Sequence, residues 1–300
     1  GGDAMRLLVT GGSGFLGRRV LPAAIRRGHQ VTALARSADA ARTVESLGAR
    51  PITGDLDDPA SLDEAFGSAR SPSTVDALVN LASLGFGHAP DIIAATELAG
   101  IRRAVFVSTT AVSTTLPAPS KRVRLSAEAA VRASRTEWTI IRPTMIYGAR
   151  GDRNISRLLT ALRRTPLLPV PGGGHKLVQP VHVDDLAGVV LDAVESTVAI
   201  GRTYEVAGPL PLTLAELLRE CAWAVGSGTR FVPVPLRPTI ALARGYERLA
   251  RLLARQPRLR AEQIQRLAED KAFDIGAAAR DLGFAPRGFR AGITEQARAR

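Results

Sequence analysis

The sequence predicts an α/β protein, a doubly wound parallel sheet followed by a smaller, mostly helical C-terminal region. Short apolar runs alternate with helical stretches up to Pro143, a glycine cluster sits where the first run meets the first helix, and beyond Pro143 loops and helices lengthen. A short apolar run that stops at glycine suits a strand buried on both faces, and alternation of such runs with helices predicts parallel βαβ units.

In chain order, Arg6-Leu7-Leu8-Val9-Thr10 is the first strand, ending at Gly11-Gly12. A helix over 15–27 should follow, bent by Pro22, which lacks an N–H and crowds the preceding turn. Further strands are expected over 30–35, 49–53, 75–81, 103–108 and 138–141. Between them lie helices near 38–47, 59–66, 91–99 and 126–134. Residues 1–4, ahead of Met5, add no expected element. The first domain is expected to hold 5–143 and about 181–206, since Val181-His182-Val183-Asp184-Asp185-Leu186 begins an apolar helix able to pack back on it. The second, smaller region then holds 144–180 and 207–300, including two Arg- and Leu-rich amphipathic helices over 236–268. The plain reading of those helices is a solvated arginine face over a leucine core, and the alternative is a docking face for a membrane surface or a partner.

A chain of 300 residues with 45% hydrophobic content fills a substantial core. The formal charge is +12, and all but Lys121, Lys176 and Lys271 of the 40 basic residues are arginines. They are scattered over helices, and no nucleic-acid module accompanies them, so nucleic acid is not expected as a partner. A single cysteine, Cys221, leaves no internal disulfide and suits a reducing compartment. With no signal-peptide layout and no apolar run near the ~18 residues of a membrane span, the chain reads as cytoplasmic. A monomer or homodimer acting on a small molecule is expected.

Gly11-Gly12-Ser13-Gly14-Phe15-Leu16-Gly17 follows a strand, opens a helix and begins a βαβ unit, the context in which a glycine turn binds a dinucleotide. Gly11 allows the tight turn, Gly14 lets the backbone approach the pyrophosphate, and Gly17 lets helix and sheet pack closely. Free N–H groups and the helix dipole receive the negative charge. At the end of the second strand an NAD site places a carboxylate for the adenosine ribose. Here the residues are Arg36 and Ser37, a guanidinium fork and a hydroxyl suited to a 2′-phosphate. NADP(H) is therefore favoured, with NAD(H) the alternative. Asp55 and Leu56 would bracket the adenine, or Asp55 caps a turn. The segment Asn80-Leu81-Ala82-Ser83, with the small Ala82 and Ser83, follows the fourth strand where a cofactor would cross the sheet, so Leu81, Ala82 and Ser83 are expected to line it.

Together with Gly54-Asp55-Leu56, Val107-Ser108-Thr109, Ile141-Arg142-Pro143 and Gln179-Pro180-Val181-His182-Val183-Asp184-Asp185, the glycine turn resembles the extended and atypical short-chain dehydrogenase/reductases, which include nucleotide-sugar epimerases and dehydratases. The resemblance covers about residues 5–295. It implies a Rossmann fold, a nicotinamide cofactor passing Pro143, and a C-terminal region that shapes the substrate pocket. It also implies a tyrosine followed four residues later by a lysine, whose charge lowers the phenol pKa. Both are missing. The matching positions are Ser120 and Arg124, with Glu128 one turn further, and no tyrosine precedes Tyr147. Arg124 can hold ribose hydroxyls but cannot act as an acid, and Ser120 unaided is too weakly acidic. Lys121 is offset by roughly 100° on the helix and reads as a surface lysine. The resemblance further implies a hydroxyl after the fifth strand that bonds the substrate carbonyl, with Thr110 the first candidate and Ser108 the second. Tyr147 and His88 are the remaining proton donors. The spacing of His182, Asp184 and Asp185 is that of a helix entry, so no metal is expected.

Overall fold

The computed structural model describes residues 3–67, 74–115, 119–149, 151–152, 154–252 and 269–298. In chain order the first half comprises β1 (Arg6–Thr10), α1 (Gly17–Arg26), β2 (Gln30–Ala35), α2 (Ala38–Ser46), β3 (Arg50–Thr53), α3 (Pro59–Phe66), β4 (Ala77–Asn80), α4 (Ala89–Leu98), β5 (Arg103–Val107), α5 (Pro119–Ala133) and β6 (Glu137–Pro143). Then come β7 (Ile146–Tyr147), α6 (Ile155–Leu162), β8 (Leu167–Pro171), β9 (Leu177–Val178), β10 (Val181–His182), α7 (Val183–Glu195) and β11 (Arg202–Val206). The remaining elements are β12 (Leu212–Thr213), α8 (Leu214–Ala224), β13 (Arg230–Val234), α9 (Leu236–Leu252), α10 (Gly276–Leu282) and α11 (Phe289–Arg298). The part of the expected second amphipathic helix beyond residue 252 lies outside the described residues.

The chain forms two compact units, each with its own core. The first holds Gly1–Thr144, Val183–Val206 and Asp274–Pro286. Its seven strands lie in the order β11-β6-β5-β4-β1-β2-β3, every pair parallel. From β1 the chain builds outward through β2 and β3, then crosses back to β4 on the other side of β1. The carboxyl ends of β1 and β4 are therefore the switch point, where an open parallel sheet leaves a crevice for a ligand. Leu8, Leu78, Phe106 and Ile140 bury one face against Phe66, Ile92 and Val131.

Several elements start where local chemistry allows it. Ser37 caps α2 by accepting from Ala40 N at 3.2 Å, and Asp58 caps α3 by accepting from Ala60 N at 3.2 Å, with Pro59 in the first turn. Pro22 is accommodated inside α1. α5 begins seven residues earlier than the expected 126, because in its first two turns the apolar Val123 and Leu125 alternate with arginines, stay exposed and form no buried stripe. Strand β11 had no counterpart among the expected strands, and the segment Asp274–Pro286, grouped by sequence with the C-terminal region, belongs to the first unit. There α10 lies against β11, with Tyr204 Oη donating to Asp281 Oδ2 at 2.9 Å.

The second unit holds Met145–His182, Ala207–Phe273 and Arg287–Arg300. Its core gathers Tyr147, Ile155, Leu159, Leu162, Leu217, Cys221 and Ile293 from β7, α6, α8 and α11. Short strand pairs, β10 with β7, β12 with β9 and β13 with β8, tie its loops together. The capping box of Thr213 and Glu216 fixes the start of α8.

Candidate active site

At the switch point Gly11 has φ +72°, and a Cβ there would stand 2.8 Å from Ala82 N and 3.0 Å from Leu81 C. Only glycine lets the turn lie on the end of β4 in that conformation, which brings Gly11, Leu81 and Ala82 together. Thr10 Oγ1 donates to Asn80 Oδ1 at 2.5 Å and Asn80 Nδ2 donates to Ala82 O at 3.1 Å, locking the two strand ends side by side.

Gly14 N donates to Gly11 O at 3.1 Å, and Gly14 itself is exposed. Ser13 and Phe15 are half-buried, and Leu16 is buried. Helix α1 has no side-chain cap at Leu16 and no acidic residue in its first turn, so among the described residues no side chain caps its leading N–H groups. A ten-residue helix opening on a glycine turn in this way fits an anion such as a pyrophosphate. Gly17 works differently from its expected role. A Cβ there would overlap the carbonyl oxygens of Gly12 and Gly11, so it seats the helix on the turn. The close approach to the sheet falls instead to Gly12, whose Cβ position is 3.0 Å from Ala33 Cβ.

Arg36 is exposed just past β2, with no ion pair or side-chain hydrogen bond among the described residues. Ser37 beside it accepts from Ala40 N and keeps its own hydroxyl hydrogen. Asp55 Oδ1 accepts from Asp57 N at 3.1 Å, the turn-capping alternative; Leu56 packs at the margin of the core. Ser83 Oγ accepts from Gly85 N at 3.2 Å and begins a 3₁₀ turn over Leu84–Phe86. His88, after that turn, lies 3.7 Å from Asp57.

Arg124 reaches this turn from α5: a Cβ on Gly85 would be 3.1 Å from its Nε. Arg124 Nη1 donates to Ser120 Oγ at 3.2 Å, so the two residues that the resemblance matches to a tyrosine and a lysine are bonded to each other. Lys121 is half-buried, not a surface lysine, because its Nζ donates to the Thr114 carbonyl at 2.5 Å.

After β5 the three hydroxyls divide. Ser108 Oγ donates to Glu128 Oε1 at 2.7 Å and Thr110 Oγ1 donates to Pro143 O at 3.3 Å, while Thr109 accepts from Ala111 N at 3.2 Å. Glu128 is fully buried, gripped by Arg142 (Nη2 to Oε2 2.6 Å, Nε to Oε1 3.0 Å) and by Arg132 Nη2 at 2.9 Å. Burial alone would raise its pKa; hydrogen bonds from Arg142, Ser108 and Arg132 outweigh that and hold the carboxyl below the usual range. Glu128 and Gly12 are the members of the site that sequence reasoning gave no role.

Tyr147, named above among the remaining proton donors, belongs to the second unit. It is fully buried in the second unit, its ring 5.2 Å from that of His182 and 5.0 Å from that of Phe289. Packed so, it is a core residue.

The first unit is thus a Rossmann-like dinucleotide-binding fold with its glycine turn at the switch point. Residues 11–196 match the NAD(P)H-binding family, and the chain belongs to that family. It is 31% identical over 318 residues to the 4-hydroxy-2-methyl-3-oxo-4-farnesyl-3,4-dihydroquinoline-1-oxide ketoreductase of Stigmatella aurantiaca, covering 94% of this chain and 92% of that protein. It is 27% identical over 317 residues to the 2-alkyl-3-oxoalkanoate reductase of Stenotrophomonas maltophilia, covering 94% and 95%. Among solved structures, the UDP-glucose 4-epimerase of Thermotoga maritima superposes with a TM-score of 0.74 at 16% identity over 98% of both chains, a likeness of fold.

Proposed function

We propose that the protein is an NADP(H)-dependent reductase of a lipophilic carbonyl compound, with the second unit supplying substrate recognition. The observation that carries this reading is the hydrogen bond from Arg124 Nη1 to Ser120 Oγ, one helical turn apart on α5. A serine hydroxyl alone is a poor acid, but a guanidinium donating to its oxygen stabilises the charge left when the proton goes.

When bound, the reduced nicotinamide supplies a hydride to the carbonyl carbon. Ser120 donates a proton to the carbonyl oxygen, so the product is the alcohol, and water then restores the serine proton. Arg124 steadies Ser120 and donates to a ribose hydroxyl, lying as it does on Gly85 at the end of the crevice. Arg36 and Ser37 donate to the 2′-phosphate, and the leading N–H groups of α1 receive the pyrophosphate.

A lipophilic substrate is supported by the names of the two relatives, which act on a farnesyl-bearing ring and on an alkyl-branched oxo acid. It is also supported by Phe86, 77% exposed one residue beyond Gly85. The test is NADPH oxidation with ketones and 3-oxo esters of increasing chain length. Turnover should rise with chain length, and Ser120→Ala should cut kcat by about 10²-fold or more without changing cofactor affinity. Absence of turnover across the panel would sink the reading.

A second reading, a binding protein without turnover, is favoured by one observation. Ser108 and Thr110, the hydroxyls expected to hold the substrate oxygen, both donate to protein acceptors. Such a sensor must bind NADPH and NADP⁺ with different affinities, because a ligand shifts a conformational equilibrium only by its differential affinity.

A further inference from the structure

The second unit turns apolar side chains outward on three connected elements. β8 and β13 pair in parallel, with Leu168, Val170 and Phe231 facing inward. Their outward positions are Leu167 (53% exposed), Pro169 and Val232 (43% exposed), so the small sheet is apolar on both faces. A two-stranded sheet gains nothing from an apolar outer face in water. α9 follows β13 directly and rests on Leu236, Ile240 and Ala243. Four residues apart on another side of the same helix, Leu242 is 75% exposed and Tyr246 is 42% exposed.

Along these described segments the charge is almost all positive. Residues 163–171 and 230–248 contain Arg163, Arg164, Arg230, Arg237, Arg244 and Arg248, all exposed, against the single acid Glu247. A second copy of the chain would bring the same arginines against one another, which disfavours self-association through this face. Exposed leucine, valine and tyrosine bordered by arginine suit a surface that is anionic at its boundary and apolar just beneath.

We propose that the outward face of β8, β13 and α9 docks on an anionic phospholipid bilayer. No helix among the described residues is long and apolar enough to cross a membrane, so the contact is interfacial. Leu242, Leu167 and Val232 enter the acyl boundary, Tyr246 sits at headgroup level, and the arginines engage lipid phosphates. The inference rests on this face alone and does not depend on the proposed reaction.

The test is co-sedimentation of the full chain with phosphatidylcholine vesicles and with vesicles of equal phosphatidylcholine and phosphatidylglycerol, at low and high salt. Binding to the anionic vesicles and release by salt are expected. Leu167→Glu with Leu242→Glu, and separately Arg244→Glu with Arg248→Glu, should each weaken binding by at least about tenfold. Arg26→Glu with Arg50→Glu, equal charge reversals on the first unit, should change it less than about threefold. NADPH binding by every variant checks that the chain has folded. The proposal is overturned if the protein stays in the supernatant, or if the control reversal weakens binding as much as the face variants do. Loss in the arginine variant but not the leucine variant would reduce the effect to bulk charge and overturn it too. So would retention of binding in both face variants, or self-association through these residues in light scattering.

Discussion

Ser108 Oγ stands 2.7 Å from Glu128 Oε1 and donates to it, linking the end of β5 to a fully buried carboxylate on α5. The same carboxylate takes a bidentate pair from Arg142 on β6, so one anion joins two strands and a helix beneath the site. Breaking such a buried pair by removing one charge costs about 3–5 kcal/mol. Glu128→Gln should therefore lower stability by about 3 kcal/mol at pH 7 in urea unfolding. Because the folded pKa of Glu128 lies below the ordinary value of about 4.3, its contribution is full above that value and lost as the pH falls through the folded pKa. The gap between wild type and variant should thus narrow as the medium becomes acidic. A gap independent of pH would mean that packing, not charge, is what the carboxylate supplies.

If Arg36 holds the 2′-phosphate as proposed, Arg36→Asp should weaken NADPH binding by roughly tenfold to a hundredfold and leave NADH binding nearly unchanged, since it would remove a charge-assisted bond and add repulsion. Fluorescence titration with both cofactors reads this directly. Equal losses would remove Arg36 from the phosphate site.

The glycines of the turn should separate by role. At Gly14 an added Cβ meets only Gly11 O, at 3.1 Å, so Gly14→Val should fold yet bind neither cofactor. At Gly17 the added carbon overlaps two carbonyls of the turn, so Gly17→Val should lose stability along with binding. Thermal melts beside cofactor titrations distinguish the two outcomes.

In the second unit Tyr147→Phe should leave turnover and cofactor affinity within about twofold, as expected of a ring that serves as core packing. Gly292→Ala should destabilise by about 1–3 kcal/mol, because its Cβ would overlap the Tyr147 hydroxyl and His182 leaves the ring no room to retreat. A large fall in kcat for Tyr147→Phe in a protein that melts normally would return the phenol to the chemistry.

Much of the first unit was legible in the chain because its strands are apolar runs that stop at glycine or small polar residues, as at Thr10-Gly11 and Asn80-Leu81. β11 escaped because Arg202-Thr203-Tyr204-Glu205-Val206 alternates polar with apolar residues, the pattern of an edge strand wetted on one face, and its length is that of many loops. The crevice followed from the glycine turn. The Glu128 network did not, because a carboxylate inside a basic helix looks solvated until Ser108 and Arg142, 20 and 14 residues away, fold onto it. The Ile141-Arg142-Pro143 segment was the available hint: an arginine so near the end of a buried strand requires an acceptor.

The position of β11 at the sheet edge also bears on how the protein is made. The strand it pairs with, β6, ends at Pro143, whereas β11 ends at Val206 and the helix tied to it by Tyr204 and Asp281 ends at Leu282. At ribosomal speeds of about 5–20 residues per second, the hydrogen-bonding edge of β6 stays open for several seconds after it emerges. Nascent chains halted before residue 202 should therefore recruit chaperones or aggregate, and the N-terminal half expressed alone should do the same despite carrying the whole glycine turn.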